Sequence, residues 1–222
     1  FWESEIRSLS FSNFIGSFFL INLDFSVLDY QNVSITLLKF NSSNKAILIS
    51  ASTNSSLKIN FCVFDSLLMN QLLTRGSDKS SLIGISGVNN QIKVLNSNFL
   101  NLSLSELSLI QNFVNSTGSL FLLGNNTFSQ MKIKGSLFKI QLNLSVFQSI
   151  NNTFGKSFFF SIAIFLDQTS SLFLNCFFWD IETNGSSSFI FLKSDVRVSF
   201  SNCSFHRINL DNSGFKTDDS VG

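Results

Sequence analysis

Short apolar runs recur along the chain in one fixed order. Each unit opens with an apolar run: KAILIS, SLIGIS, SLFKIQ, SFIFLK. A polar turn of Ser, Asn, Thr or Gly follows, then an alternating run: SLKINF, QIKVLN, SLFLLG, VRVSFS. A short phrase built around an aromatic residue comes next, and then a third run such as MKIKG or RINLDN. A period of two in runs rich in Phe, Ile and Val predicts β-strands, and no segment has sustained helical periodicity with caps. The order of runs never reverses, which argues against the antiparallel hairpins of an outer-membrane barrel. Three short strands per unit, repeated, predict a parallel β-helix in which each unit is one coil stacked on the last.

The aromatic of the short phrase sets the register of the repeat. Its anchors are Ile35, Phe64, Phe99, Phe128, Phe154, Phe178 and Phe205, spaced from 24 residues (Phe154 to Phe178) to 35 (Phe64 to Phe99). A degenerate earlier copy surrounds Phe14, so the expected architecture is an all-β, right-handed parallel β-helix of about seven to nine coils, three strands each. Stacking the units makes columns. Three residues before the anchor stand Asn32, Phe61, Asn96, Asn125, Asn151, Asn175 and Asn202. Side-chain amides repeated at strand spacing can hydrogen-bond along the axis, and Asn tolerates the left-handed backbone of a sharp corner. These Asn residues are therefore expected to form a ladder, turned inward. The anchors form a stack of aromatic rings in the core. Two residues before the anchor stand Val33, Cys62, Ser97, Asn126, Asn152, Cys176 and Cys203, a column that holds all three cysteines.

Composition narrows the function classes. The 222 residues are 44% hydrophobic and 13% charged, with a net charge of +1. There is no Lys/Arg run, so nucleic acid is not an expected partner. The longest apolar stretch, around Phe158 to Leu166, is too short for a transmembrane helix. With 28 Phe and no Pro, the turns must rely on Gly, Asn and Ser. Repeat-like sequence reaches both ends, so residues 1–222 read as a single β-helix segment of a longer chain.

The Asn column at a turn, the stacked aromatics and the repeated N..F phrases, over about residues 6–215, resemble the pectin-lyase-like right-handed parallel β-helix superfamily, in particular β-helical surface and secreted proteins of protists such as ciliates. The resemblance implies a location outside the cell or at its surface. It also implies a choice between polysaccharide lyases or hydrolases and non-catalytic adhesins and scaffolds, because a fold does not select a chemistry.

The carboxylate pair with the most suggestive spacing is Asp180 and Glu182, two apart on a strand and expected on one face. That pair is the candidate catalytic site of a polysaccharide-active enzyme. Against it, Lys156 and Arg207 occupy the same column one coil to either side of Asp180. Flanking cations favour the charged carboxylate, whereas a general acid must keep its proton. The expected catalytic set is therefore none, with Asp180 and Glu182 as the alternative. His206 stands alone, the cysteines lack metal-site spacing, and no calcium or phosphate loop is present, so no metal or cofactor is expected. Cys176 and Cys203 fall at disulfide distance on adjacent coils, but parallel side chains must twist to bond, which favours free thiols. Trp2 and Trp179 offer faces for sugar rings or for packing on neighbours. Glycosylation sequons outside the ladder begin at Asn41, Asn54, Asn115 and Asn184, read as polar turns, and at Asn101, read as facing out. The longest spacing predicts a protruding loop at Asn70 to Ser81, the first place to look for a local partner site. The reading that emerges is a non-catalytic structural or interaction rod, partnered by other β-helix segments or subunits and by glycans.

Overall fold

The computed structural model describes the backbone of residues 2–7, 10–11, 15–16, 21–23, 26–31, 34–36, 39–42, 47–51, 53–71, 81–105, 108–112, 117–160, 163–183, 189–193, 196–210 and 215–217, with side chains at 53–68, 81–105, 108–111, 117–140, 145–160, 163–183, 189–193 and 196–210. Residues 72–80, the body of the expected loop, lie outside this set, as do Asn32, Asn115 and Asn184.

The chain is an all-β parallel solenoid, and its strands stack in four columns. The first column contains Ile47–Ala51, Ser81–Ile85, Ser108–Asn112, the opening residues of Phe138–Ile150 and of Ile164–Leu174, and Ile190–Leu192. The second contains Ser56–Asn60, Gln91–Leu95, Leu120–Gly124, the closing residues of those two long strands, and Arg197–Ser201. The third holds the anchors: Val63–Asp65, Asn98–Leu100, Thr127–Ser129, and the starts of Thr153–Phe159, Phe177–Thr183 and Ser204–Leu210. The fourth contains Leu68–Gln71, Ser103–Ser105, Lys132–Ile133 and the ends of the same three strands. Three strands per coil were expected from the run pattern. The fourth arises because the aromatic phrase, read as a corner, is itself a strand.

About four turns lie between the buried anchors Phe64 and Phe178. Inside them, alternation does what the sequence pattern demands: Gln91–Leu95 buries Ile92 and Val94 and turns Gln91, Lys93 and Leu95 outward. The rings of Phe64, Phe99, Phe128, Phe154, Phe178 and Phe205 stack at 4.7, 5.0, 4.9, 4.7 and 4.8 Å, with interplanar angles of 4–12°. Those separations follow the strand spacing of about 4.8 Å, so the sheet sets the stack. Phe138 closes the column from the side, edge-on to Phe128 and Phe154.

Three corners per turn use left-handed backbone. One contains Phe61, Asn96, Asn125, Asn151, Asn175 and Asn202, with φ from 49° to 54°. A second contains Ser66, Asn101, Gln130, Lys156, Asp180 and Arg207, two residues after each anchor. A third contains Asn54, Asn89, Gly118 and Gln168. Asn recurs because its short side chain visits this region at little cost. The corner amides remain in the axial ladder: Asn125 N–H donates to Ile150 O at 3.0 Å and Asn151 N–H to Leu174 O at 2.9 Å.

Candidate functional site

The polar residues of the described solenoid fall into outer and inner columns. The outer one is the expected Asn ladder. Asn202 donates through Nδ2 to Asn175 Oδ1 at 2.8 Å, Asn175 to Asn151 at 3.0 Å, Asn151 to Asn125 at 3.1 Å and Asn125 to Asn96 at 3.1 Å. Phe61 interrupts it, and Asn96 donates instead to Asn60 Oδ1. The expectation that this ladder turns inward is corrected. Asn125, Asn151, Asn175 and Asn202 are exposed, because a left-handed residue at a convex corner throws its Cβ outward.

The residue after each ladder position turns inward instead. Ser97 Oγ accepts from Cys62 N–H at 3.1 Å, Asn126 Oδ1 from Ser97 N–H at 2.9 Å and Asn152 Oδ1 from Asn126 N–H at 2.7 Å. Asn126 Nδ2 donates to Val94 O, and Asn152 Nδ2 to Leu123 O and Ser149 Oγ. Each side chain satisfies a corner amide of the neighbouring turn, so buried polarity leaves no orphan there. Ser55, Asn90, Ser119 and Ser145 repeat the device at another corner, with Ser55 N–H on Asn90 Oδ1, Asn90 N–H on Ser119 Oγ and Ser119 N–H on Ser145 Oγ. Sequence reasoning missed this second inner column. Its signal was the Ser or Asn recurring at or just before the start of successive alternating runs, at Ser55, Asn90 and Ser119.

Cysteine takes the same inner position as Ser97 and Asn126. Cys176 is buried between Ser149 Oγ at 3.3 Å and Ser149 O at 3.2 Å, and burial pushes its thiol pKa up. Cys203 donates to Phe173 O at 3.4 Å. Both are free thiols.

One concave feature of the described surface is a groove of about 810 Å³ running across successive turns beside the second left-handed corner. It is lined by Gln130, Lys132, Lys156, Asp180, Glu182 and Arg207, among others. It thus brings the two sequence-predicted carboxylates together, although Asp180 sits at the left-handed corner of its strand with φ 51°. Arg207 grips Asp180 with two nitrogens, Nε on Oδ1 at 2.5 Å and Nη2 on Oδ2 at 2.8 Å. This bidentate geometry uses both carboxylate oxygens. Lys156, the other cation expected beside Asp180, instead places Nζ 5.2 Å from the centre of the Trp179 ring. Trp179 lies flat on Gly155, where a Cβ would fall 2.2 Å from its Nε1.

The remaining candidates are dispersed. Asp167 pairs with Lys193 at 3.5 Å, and His206 is exposed. No group of three or more His, Cys, Asp or Glu that could hold a metal ion occurs among the described residues. Asn54 is an exposed turn residue, and exposed Asn101 donates through Nδ2 to Asp65 Oδ1 at 2.7 Å. Asn41 is corrected from turn to strand: it lies in Lys39–Ser42, in register with Asn70. No helix among the described residues is long and apolar enough to cross a membrane.

No family model matches the chain, and no curated protein matches it. Among solved structures, it is similar to a trypsin-treated variant of QnrB1, a plasmid-mediated fluoroquinolone resistance protein, at 13% identity over 97% of this chain and 92% of that one, with a TM-score of 0.21.

Proposed function

We propose that the chain is a non-catalytic structural or interaction β-helix of an extracellular or cell-surface protein, of the pectin-lyase-like kind, serving in a fibre or coat. The observation that carries this reading is the bidentate Asp180–Arg207 pair in the groove. A carboxylate with both oxygens engaged by a guanidinium leaves neither oxygen free to meet a substrate. The hydrogen-bonded polar columns support the same reading, since they give axial rigidity along the solenoid. In this proposal the helix is right-handed and continues to seven to nine coils. Strand pairing places Ile35 opposite Phe64, and Phe11 rather than Phe14 opposite Ile35. Its partners are further β-helix segments or subunits and glycans, with Asn54 and Asn101 as exposed glycosylation positions.

One observation favours a second reading, a polysaccharide lyase or glycoside hydrolase: Asp180 and Glu182 line one groove. Incubating wild-type, Asp180→Ala and Glu182→Ala proteins with a panel of acidic and neutral polysaccharides separates the two. No release of reducing or unsaturated ends is expected from any of them. Cleavage by the wild type that disappears in a folded Asp180→Ala protein would reverse the ranking.

A further inference from the structure

We propose that Cys176 and Cys203 are a modification site, a thiol pair that closes to a disulfide joining two successive turns along the solenoid axis. The strands bracketing the pair are in register on both sides. Leu174 lies opposite Ser201 before it, and Phe177 lies opposite Ser204 after it. The two cysteines therefore occupy one column a single strand spacing apart, about 4.8 Å. That falls inside the Cα range of about 4.4–6.8 Å that a disulfide accepts.

The side chains hold equivalent positions. Cys176 Sγ donates down the axis to Ser149 O and along its own chain to Leu174 O. Cys203 Sγ donates to Phe173 O and Ser201 O, the corresponding atoms one turn later. Cys203 thus already leans toward the turn that carries Cys176. Closing the bond requires the Cys203 sulfur to swing off Phe173 O onto Cys176 Sγ, at the loss of weak thiol hydrogen bonds. Ser and Asn in the other turns of this column accept from a backbone N–H of the neighbouring turn, as Ser97 and Asn126 do. Cys176 and Cys203 are the stretch of the column where two neighbouring turns both carry sulfur.

The oxidant is a low-molecular-weight disulfide, RSSR. The Cys203 thiolate attacks one sulfur of RSSR, forming a mixed disulfide and expelling RS⁻. The Cys176 thiolate then attacks Cys203 Sγ, forming the protein disulfide and expelling the second RS⁻. The two protein thiols lose two electrons and two protons, and RSSR becomes two RSH.

The test incubates the whole chain with oxidised glutathione, quenches with an alkylating agent, digests with trypsin without reduction and maps the products by mass spectrometry. Lys193 and Arg197 separate the two cysteines into different tryptic peptides. The expected product is the cross-linked pair of peptides carrying Cys176 and Cys203, lighter by two hydrogens than their sum and released by dithiothreitol. The Cys176→Ser protein should stop at glutathionylated Cys203. Wild type that also stops at glutathionylated Cys203 with Cys176 alkylated, or that links either cysteine mainly to Cys62 or to a second molecule, would overturn the proposal.

Discussion

Asn125 and Asn126 are neighbours in the chain and opposites in the fold, so exchanging each for Ala isolates what the two columns contribute. Asn126 is 1% exposed. Its Oδ1 accepts from Ser97 N–H at 2.9 Å and its Nδ2 donates to Val94 O at 2.8 Å. Asn126→Ala leaves both backbone groups without those partners in a site closed to water. At about 1–3 kcal/mol for each unsatisfied buried group, the loss should be about 2–6 kcal/mol. Asn125 is exposed, with amide bonds to Asn96 and Asn151 that compete with water. Its replacement by Ala loses little hydrogen-bond energy but places a Cβ in left-handed backbone without the compensating short polar side chain. That costs up to about 1 kcal/mol, because Asn already carries a Cβ and only its easier access to left-handed backbone is lost. Asn125→Gly should recover most of it, because Gly carries no penalty at φ 54°. Urea unfolding followed by circular dichroism reads all three, provided the dependence on denaturant keeps one slope, since solenoids can lose cooperativity. An Asn125→Ala protein as unstable as Asn126→Ala, or no rescue by Gly, would refute the assignment of the inner column as the energetic one.

Further outcomes are expected at other positions. Phe61 is 57% exposed at a ladder position with φ 52°, so Phe61→Asn should stabilise by about 1 kcal/mol through relief of left-handed strain, read as a higher urea midpoint. Gly155→Ala should displace the Trp179 indole and destabilise by about 1–3 kcal/mol through overpacking, with a red shift of indole emission measured in a Trp2→Phe background. Burial raises the folded-state pKa of Cys176, so its contribution is fully present below the unfolded thiol value of about 8.5 and declines as pH rises through that value. Stability measured from about pH 7 to 10 should therefore fall more steeply in wild type than in Cys176→Ser, and parallel curves would contradict the cause.

Much of this architecture was legible because core positions accept few residue types. Phe99, Phe128, Phe154 and Phe178 sit where only a stackable apolar side chain fits, so they mark the register plainly. The Asn ladder was legible for the same reason of backbone conformation, but its direction was not. Exposed Asn125 and buried Asn126 are the same residue type in adjacent positions, and only the sign of φ at the corner decides which one turns inward. The column of Lys156, Asp180 and Arg207 was legible but its left-handed backbone was not, because Asn101, Gln130, Lys156, Asp180 and Arg207 share φ without sharing one residue type. The groove carboxylates were found from spacing alone. Spacing did not show that Arg207 engages Asp180 while Lys156 lies over the Trp179 ring that packs on Gly155.

Residues far apart in sequence stack in register along one axis. Lys58, Lys93, Leu122, Gln148 and Leu172 are successive members of one outward row. Lys58 and Leu172 are thus four strand spacings apart, about 19 Å between Cα atoms. Spin labels at these two positions, in a protein whose three cysteines are replaced by Ser, report the separation by pulsed dipolar spectroscopy. A single narrow distribution near about 19 Å, widened only by the label linkers, is the predicted result. A broad distribution, or one centred beyond about 30 Å, would contradict the axial stacking and with it the reading of the chain as a rigid solenoid.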